Sequence, residues 1–140
     1  MSGFLLDTNV VSELVKPIRD VNVLRWFSAT DESILFLSVL TLGEIRKGVD
    51  RMSSGRRRAA LESWIEIDLR ARFQGRILPV DEGIADRWGS LSAAADQAGK
   101  PAPTIDAILA ATAVHHNLTL VTRNPSDVAG TGVSTVNPWV

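Results

Sequence analysis

Three acids in the sequence lie against short apolar segments, where a carboxylate is expected to be partly buried. Asp7 directly follows Phe4-Leu5-Leu6, and Glu44 and Asp106 also have apolar flanks. If the three converge, their charges repel one another, and at least one carboxyl must hold its proton. A hard divalent cation such as Mg²⁺ or Mn²⁺ removes that conflict, because it prefers oxygen ligands. The three acids therefore indicate a metal site that could hydrolyse a phosphodiester bond.

Each acid also has a purely structural interpretation. Asp7 can cap a helix N-terminus, and Glu44 can close a capping box that begins at Thr41. Asp106 lies in the first turn of a predicted helix, where the helix dipole favours an acid. Only a shared location would favour metal binding over these alternatives, so the placement of the surrounding elements decides the question.

Strands and helices are predicted to alternate along the chain, which favours an α/β fold with a parallel sheet covered on both faces. Periodicity and turn residues predict four to five strands, near residues 3–6, 34–38, 76–80, 118–122 and 133–136. They predict helices near residues 10–15, 20–29, 41–52, 56–73, 81–98 and 103–116. In such a sheet, Asp7, Glu44 and Asp106 would face the end where the strands finish, which is where ligands bind.

Two polar residues follow the fourth predicted strand and would lie at the same end. Asn124 can coordinate a cation through its amide oxygen but brings no charge. Asp127, three residues later, is better explained as a turn residue than as a ligand.

Composition limits the remaining possibilities. The chain has 140 residues, which is expected to form one domain over residues 1–140. It has no cysteine, which excludes disulfides, thiolate zinc sites and a cysteine nucleophile. No apolar run approaches the ~18 residues of a membrane span, and Met1-Ser2 brings no basic region before the first apolar segment. We therefore expect no signal peptide and a cytoplasmic location.

Charge is unevenly distributed, although the net charge is only −1. Nine of the 15 Lys and Arg residues fall between Arg46 and Arg76, where there are four acids. This segment is either a solvated helical face or a basic surface that attracts phosphates.

Motifs for other chemistries are incomplete. Gly130-Thr131-Gly132 lacks the third glycine of a dinucleotide-binding fingerprint, and Gly99-Lys100 lacks the earlier glycine of a P-loop. His115 and His116 end a predicted helix, where a surface role that complements the helix dipole is the simpler interpretation.

Four segments, in order along nearly the whole chain, resemble the PIN-domain toxins of bacterial toxin–antitoxin pairs, the VapC type. The segments are Leu5-Leu6-Asp7-Thr8-Asn9 with Ser12-Glu13, Ser38-Val39-Leu40-Thr41-Leu42-Gly43-Glu44-Ile45-Arg46-Lys47-Gly48, Asp106-Ala107-Ile108-Leu109-Ala110-Ala111-Thr112-Ala113 and Leu120-Val121-Thr122-Arg123-Asn124. Two further segments, Arg76-Ile77-Leu78-Pro79-Val80-Asp81 and Val136-Asn137-Pro138-Trp139, look most like its FitB-like branch.

The resemblance implies a three-layer α/β/α PIN-like domain and a Mg²⁺- or Mn²⁺-dependent endoribonuclease. It further implies a homodimer that is neutralised by a small VapB-type antitoxin. The family's acidic ligands fall on Asp7, Glu44 and Asp106. Asn124 stands where many members carry a fourth acid, so one tightly held ion is expected more firmly than two, unless Asp127 compensates. The family's supporting polar positions fall on three more residues: Thr8, Asn9 and Thr122.

Three functional hypotheses follow. In the first, the acidic site cleaves RNA while Arg46 and Lys47 draw the phosphate backbone towards it. In the second, motivated by Asn124, the chain is a non-catalytic nucleic-acid or antitoxin-binding module. In the third, Asp7 is the nucleophile of an aspartyl phosphatase, although Asn9 stands where such sites normally have a second acid. The helices near 41–52 and 56–73 leave apolar residues that an antitoxin helix could cover.

Overall fold

Five short strands form one parallel sheet in the computed structural model, which describes residues 3–140. The strands are β1 (Phe4–Leu6), β2 (Leu35–Ser38), β3 (Ile77–Leu78), β4 (Thr119–Val121) and β5 (Thr135–Val136). Their order across the sheet is β3-β2-β1-β4-β5, and every neighbouring pair is parallel. The predicted parallel α/β sheet is confirmed. The expectation about a signal peptide concerns Met1 and Ser2, which lie outside the described residues.

Helices connect the strands in the alternating order that the sequence predicts. They are α1 (Thr8–Glu13), α2 (Val21–Ala29), α3 (Val39–Asp50), α4 (Arg56–Ser63), α5 (Arg70–Arg72), α6 (Glu82–Gln97) and α7 (Thr104–His115). A π-helical segment, Trp64–Leu69, joins α4 to α5, and 3₁₀ segments cover Glu32–Ile34 and Pro125–Thr131. None of the helices in residues 3–140 is long and apolar enough to span a bilayer.

Two apolar cores cover the two faces of the sheet, which gives the predicted three layers. Alternate residues of a strand point to opposite faces, so β1 places Leu6 in one core and Leu5 in the other. The first core adds buried residues of α1, α3 and the 56–73 helical region: Val10, Val11, Ile45, Val49, Ile65, Leu69 and Phe73. The second core adds residues of α7 and of the 3₁₀ segment 125–131: Leu109, Ala110, Ala113 and Val128.

Helix α3 begins two residues earlier than the sequence predicts. Ser38 is its N-cap, and the Ser38 hydroxyl accepts a hydrogen bond from the Leu40 amide at 3.1 Å. The capping box expected between Thr41 and Glu44 does not form, because both residues are already inside the helix. The Thr41 hydroxyl is fully buried and has no hydrogen-bond partner among residues 3–140. The Glu44 side chain therefore has no capping role.

The other differences are at element boundaries. The helix predicted over 56–73 contains the π-helical segment, although its four-residue apolar spacing does place Ile65, Leu69 and Phe73 in the core. Strand β3 has two residues rather than five, β5 covers only the last half of its predicted range, and the 3₁₀ segment 125–131 is not predicted. Asn117 ends α7 in the left-handed conformation expected of it, with φ of 56°.

Candidate active site

A polar cavity of about 220 Å³ lies at the carboxyl end of β1 and β4. Asp7 reaches it from the end of β1, Glu44 from α3 and Asp106 from the first turn of α7. The remaining lining residues are Thr8, Asn9, Leu120, Thr122, Asn124, Asp127 and Val128. Sequence reasoning therefore found every polar residue that lines this cavity.

Asp7 is held by a hydrogen bond to each carboxylate oxygen. The Thr8 amide donates to Oδ1 at 2.7 Å, so Asp7 does cap α1 as its structural interpretation requires. The Thr122 hydroxyl donates to Oδ2 at 2.9 Å. Each oxygen keeps a second lone pair, so capping and cation binding are compatible here.

Glu44 is oriented by a residue from another element. The Thr8 hydroxyl donates to Glu44 Oε1 at 2.5 Å, which joins the start of α1 to α3. Thr122 makes a similar connection, because its hydroxyl also accepts a hydrogen bond from the Asn124 amide at 3.2 Å. Thr8 and Thr122 thus each contact a carboxylate, and Asn9 lines the cavity without a described hydrogen bond to a carboxylate.

The pKa of Asp106 is raised by its position in the cavity. Partial burial, together with repulsion from the Asp7, Asp127 and Glu44 carboxylates, raises the pKa of Asp106 to about 6 from its ordinary 3.8. The repulsion means that these four carboxylates share one electrostatic environment and that added positive charge would be stabilised there. Asp127 belongs to that environment although its side chain is exposed.

The acids are not arranged as a complete metal-binding group. Within residues 3–140, no three acidic or histidine side chains are close enough to hold a metal ion by themselves. The cavity therefore offers separate carboxylates around an open space rather than a closed coordination shell. Such an arrangement suits an ion that keeps several water ligands, as Mg²⁺ does.

The two cations expected to draw in RNA are placed differently. Arg46 does not line the cavity, and its guanidinium pairs with Glu66 at 3.0 Å and with Asp50 at 3.8 Å. Lys47 is exposed and lies beside Glu44 in a shallow apolar depression that also includes Val39 and Ile105. Of the two, Lys47 has the position that could meet a phosphate near the cavity.

A second cavity of about 250 Å³ lies next to the first and is mainly apolar. We call it the α1–α3–α4 groove; its lining residues are Thr8, Ser12, Val15, Lys16, Glu44, Ile45, Gly48, Val49, Met52, Arg57, Leu61 and Trp64. Thr8 and Glu44 border both cavities, so a molecule in the groove would reach the carboxylates. The sequence predicted uncovered apolar surface on these helices, and the groove matches that expectation.

Sequence reasoning missed two features, the burial of Glu13 with its local partners and a contact between residues that are distant in sequence. Glu13 is buried, accepts a hydrogen bond from the Asp20 amide at 2.8 Å and forms an ion pair with Lys16 at 2.9 Å. Burial alone would raise the pKa of Glu13, but these partners outweigh it and hold the pKa below its usual value. The second feature is the cation–π contact of Arg123 with Trp139, with the guanidinium carbon 5.0 Å from the ring centre.

The sequence pattern that defines the PIN domain matches residues 4–126 of this chain. The chain belongs to the PIN domain family. This PIN domain is 37% identical to VapC ribonuclease Y4jK of Sinorhizobium fredii over 135 residues, which is 96% of each chain. It is 35% identical to toxin FitB of Neisseria gonorrhoeae over 96% of this chain and 97% of FitB.

A solved structure extends the similarity to the whole backbone. The crystal structure of FitAcB from Neisseria gonorrhoeae superposes with a TM-score of 0.93 at 34% identity. The match covers 97% of this chain and 98% of that one. The PIN-like three-layer architecture implied by the resemblance is therefore confirmed.

Proposed function

We propose that this PIN domain is the toxin of a toxin–antitoxin pair and acts as a divalent-metal-dependent endoribonuclease. The observation that carries the proposal is the shared cavity of Asp7, Glu44 and Asp106, in which repulsion raises the pKa of Asp106. The names of the relatives support the substrate and the biological role, since one is a VapC ribonuclease and another is a toxin.

The residues of the cavity suit a magnesium or manganese ion. All donors are oxygens, and the carboxylates supply the negative charge that a hard dication requires. We propose that Asp7, Glu44 and Asp106 hold this ion together with Asn124, and that water ligands of the ion span the distance between the separate carboxylates. Asp127 adds charge to the same cavity. When bound, such an ion supplies charge stabilisation at a phosphodiester and lowers the pKa of water beside it.

The protein's own contribution is to hold the carboxylates in place and to admit the substrate. Thr8 and Thr122 fix Glu44 and Asp7 through their hydroxyls, so the acids need not reorganise when substrate arrives. Asp106 must give up its proton before its two oxygens can serve as anionic ligands. Lys47, exposed beside Glu44, would attract the RNA backbone towards the acidic cavity.

Cleavage of a labelled single-stranded RNA tests the proposal. The purified chain should cleave in the presence of Mg²⁺ or Mn²⁺ and stop when EDTA is added, and Asp7→Asn should lose at least about 100-fold in rate. Asp86→Asn is the matched control, because Asp86 is an exposed acid of α6 beside His115, at the far end of α7 from Asp106. Full activity in the folded Asp7→Asn variant would contradict the proposed site.

The partner follows from the α1–α3–α4 groove. We assign it to an amphipathic segment of a VapB-type antitoxin, whose apolar side would cover Val49, Leu61 and Trp64. A basic side chain from that segment could then reach Glu44, which borders both cavities, and compete with the metal. The cytoplasm, where RNA and the antitoxin are made, is the expected compartment, and a homodimer is the expected assembly.

A non-catalytic binding module remains a second candidate, because Asn124 brings no charge to a cavity whose acids do not form a closed metal-binding group. Such a module would bind RNA or an antitoxin but show no cleavage with either metal. An aspartyl phosphatase is less consistent with the site, since the polar residue two positions after Asp7 is Asn9. Hydrolysis of a generic aryl phosphate by the chain would favour that alternative.

A further inference from the structure

One part of the molecule beside the carboxylate cavity is not used by the proposed mechanism. Arg123 lies between Thr122 and Asn124, which both line the cavity, but its own side chain is exposed. Its guanidinium lies over the indole of Trp139 in a cation–π contact, with the guanidinium carbon 5.0 Å from the ring centre. We call this pair the Arg123–Trp139 platform.

The platform is held in place by the backbone around it. The Asn137 side chain donates to the Arg123 carbonyl at 3.1 Å and accepts from the Trp139 amide at 2.9 Å. Asn22 of α2 donates to the Trp139 carbonyl at 3.0 Å. These bonds fix the backbone of both residues, so the two side chains start from positions that a ligand need not reorder.

Arg123 follows and precedes residues that line the acidic cavity, and its guanidinium adds positive charge near Glu13 of α1. Attraction to Arg123 helps to lower the pKa of Glu13, which lies one turn after Asn9 on α1. No ion pair or hydrogen bond from the guanidinium itself is found within residues 3–140, so its donors and its outer face are available. A planar cation in this state can stack on a base and donate to a phosphate.

We propose that the Arg123–Trp139 platform is a binding subsite for an unpaired nucleobase of the RNA strand, next to the nucleotide whose phosphodiester is cleaved. The inference rests on the proposed ribonuclease function. The base would stack on the outer face of the guanidinium, which in turn lies over the indole. Stacking of this kind is tolerant of sequence, so the subsite fixes the position of the strand and requires it to be single-stranded.

The test uses a short single-stranded RNA whose cleavage position is mapped, and copies with one abasic nucleotide at each position flanking that site. For the wild-type chain, one of the abasic copies should raise KM about tenfold and change kcat by less than about threefold. Arg123→Ala should raise KM about tenfold on the intact RNA, and that abasic copy should cost it nothing further. Arg123→Lys keeps the charge but loses the plane, so it should also be insensitive to the abasic copy.

Arg87→Ala is the matched control for lost charge, because Arg87 is an exposed arginine of α6 beside His115, away from the cavity. It should retain the wild-type KM and the abasic effect. The unfolding temperature of each variant shows whether loss of the Trp139 contact has destabilised the fold. Such destabilisation alone would not remove the sensitivity of KM to one missing base, whereas loss of the subsite would. A wild-type KM and a wild-type abasic effect in Arg123→Ala would overturn the proposal.

Binding of the same RNAs, followed by fluorescence anisotropy without turnover, separates this inference from the proposed function. If the wild-type chain cleaves nothing, the ribonuclease proposal fails, and the anisotropy comparison still decides the subsite. Arg123→Ala should then bind the intact RNA about tenfold more weakly than the wild-type chain does. Equal binding by the two chains would refute the platform independently.

Discussion

At the scale of single residues, Thr8 and Thr122 are the contacts that turn separate acids into one site. Each hydroxyl donates its one hydrogen to a carboxylate that comes from a different segment of the chain. A carboxylate that accepts such a bond is fixed in orientation and still has lone pairs to offer a cation. In the proposed site, the hydroxyls would therefore act by holding Glu44 and Asp7.

Thr8→Val removes the hydroxyl that donates to Glu44 while keeping the branched shape. We expect activity to fall about 10- to 100-fold, with a matching rise in the Mg²⁺ concentration needed for half-maximal rate. Thr8→Ser keeps the hydroxyl and should stay within a few-fold of wild type. Rates measured over a Mg²⁺ titration compare the three chains, and equal metal requirements in all of them would contradict the orienting role.

Asp106 makes the folded chain less stable as pH rises, whereas an acid in a salt bridge makes it more stable. Its pKa is about 6 in the folded chain against an ordinary 3.8, so the folded state holds this proton more tightly. The Asp106 proton therefore stabilises the metal-free chain fully below about pH 4. This contribution to the free energy of unfolding is lost as pH rises from about 4 to about 6, and none of it remains above that range. Asp106→Asn removes the effect and should stabilise the metal-free chain at pH 8 by on the order of 1 kcal/mol, allowing for solvent screening.

Urea unfolding of both chains in EDTA at pH 8 and pH 4.5 measures this difference. The variant should gain more relative to wild type at pH 8 than at pH 4.5, although it loses cleavage activity. A gain of the same size at both pH values would show that the carboxyl is not the cause.

The residue scale also shows what the sequence could predict about the site. Asp7, Glu44 and Asp106 were predictable because each adjoins an apolar segment, which fixes the end of the sheet it must face. The ion pair of Arg46 with Glu66 could not be predicted, because it depends on how the 56–73 helical region packs on α3. Arg123 and Trp139 are separated by many residues, so only the fold brings them together.

At the scale of elements, the prediction succeeded where a single physical cause decides and failed where two compete. The order of the five strands and of the main helices between them follows from apolar periodicity, and it is confirmed. Helix α3 begins at Val39 because Ser38, and not Thr41, caps its N-terminus. Thr41 is instead buried in the helix, and its burial depends on tertiary packing that the local sequence does not show. The π-helical segment keeps Ile65 and Leu69 buried, a tertiary requirement that local propensity does not express.

The α1–α3–α4 groove depends on a small residue in α3. A side-chain carbon added at Gly48 would meet no atom within 4 Å, so nothing in the chain itself requires glycine there. Gly48→Leu should fill the groove and weaken capture of the proposed VapB-type antitoxin about tenfold or more. It should leave the unfolding temperature unchanged or higher, because leucine favours helix by up to about 1 kcal/mol over glycine.

Gly89→Leu in α6 is the matched control for this change, since Gly89 also has open space around it and does not line the groove. Co-expression followed by affinity capture of the tagged antitoxin compares the two variants with wild type. Equal capture of all three chains would place the antitoxin elsewhere on the surface.

At the scale of the whole molecule, the sheet brings together charges that the chain keeps far apart. The parallel order places the ends of β1 and β4 beside the first turns of α1 and α7, so their acids meet at one edge. Most of the arginines between residues 46 and 76 are instead used in ion pairs or bonds to carbonyls, as Arg58, Arg72 and Arg76 show. The basic segment is mainly a source of structural contacts, and the acidic edge dominates what a ligand meets.

A dication that binds this edge must stabilise the whole fold, because the unfolded chain has no comparable cluster. For a dissociation constant of about 1 mM, 10 mM Mg²⁺ should add about 1.4 kcal/mol. In a domain of this size that corresponds to a rise of about 5 °C in the unfolding temperature. Differential scanning fluorimetry at constant ionic strength measures it, with Mn²⁺ as the second metal. Asp7→Asn should show little of the rise and Asp86→Asn all of it. A wild-type chain whose unfolding temperature ignores both metals would instead favour the non-catalytic module, since linkage requires any ion that binds only the folded state to raise it.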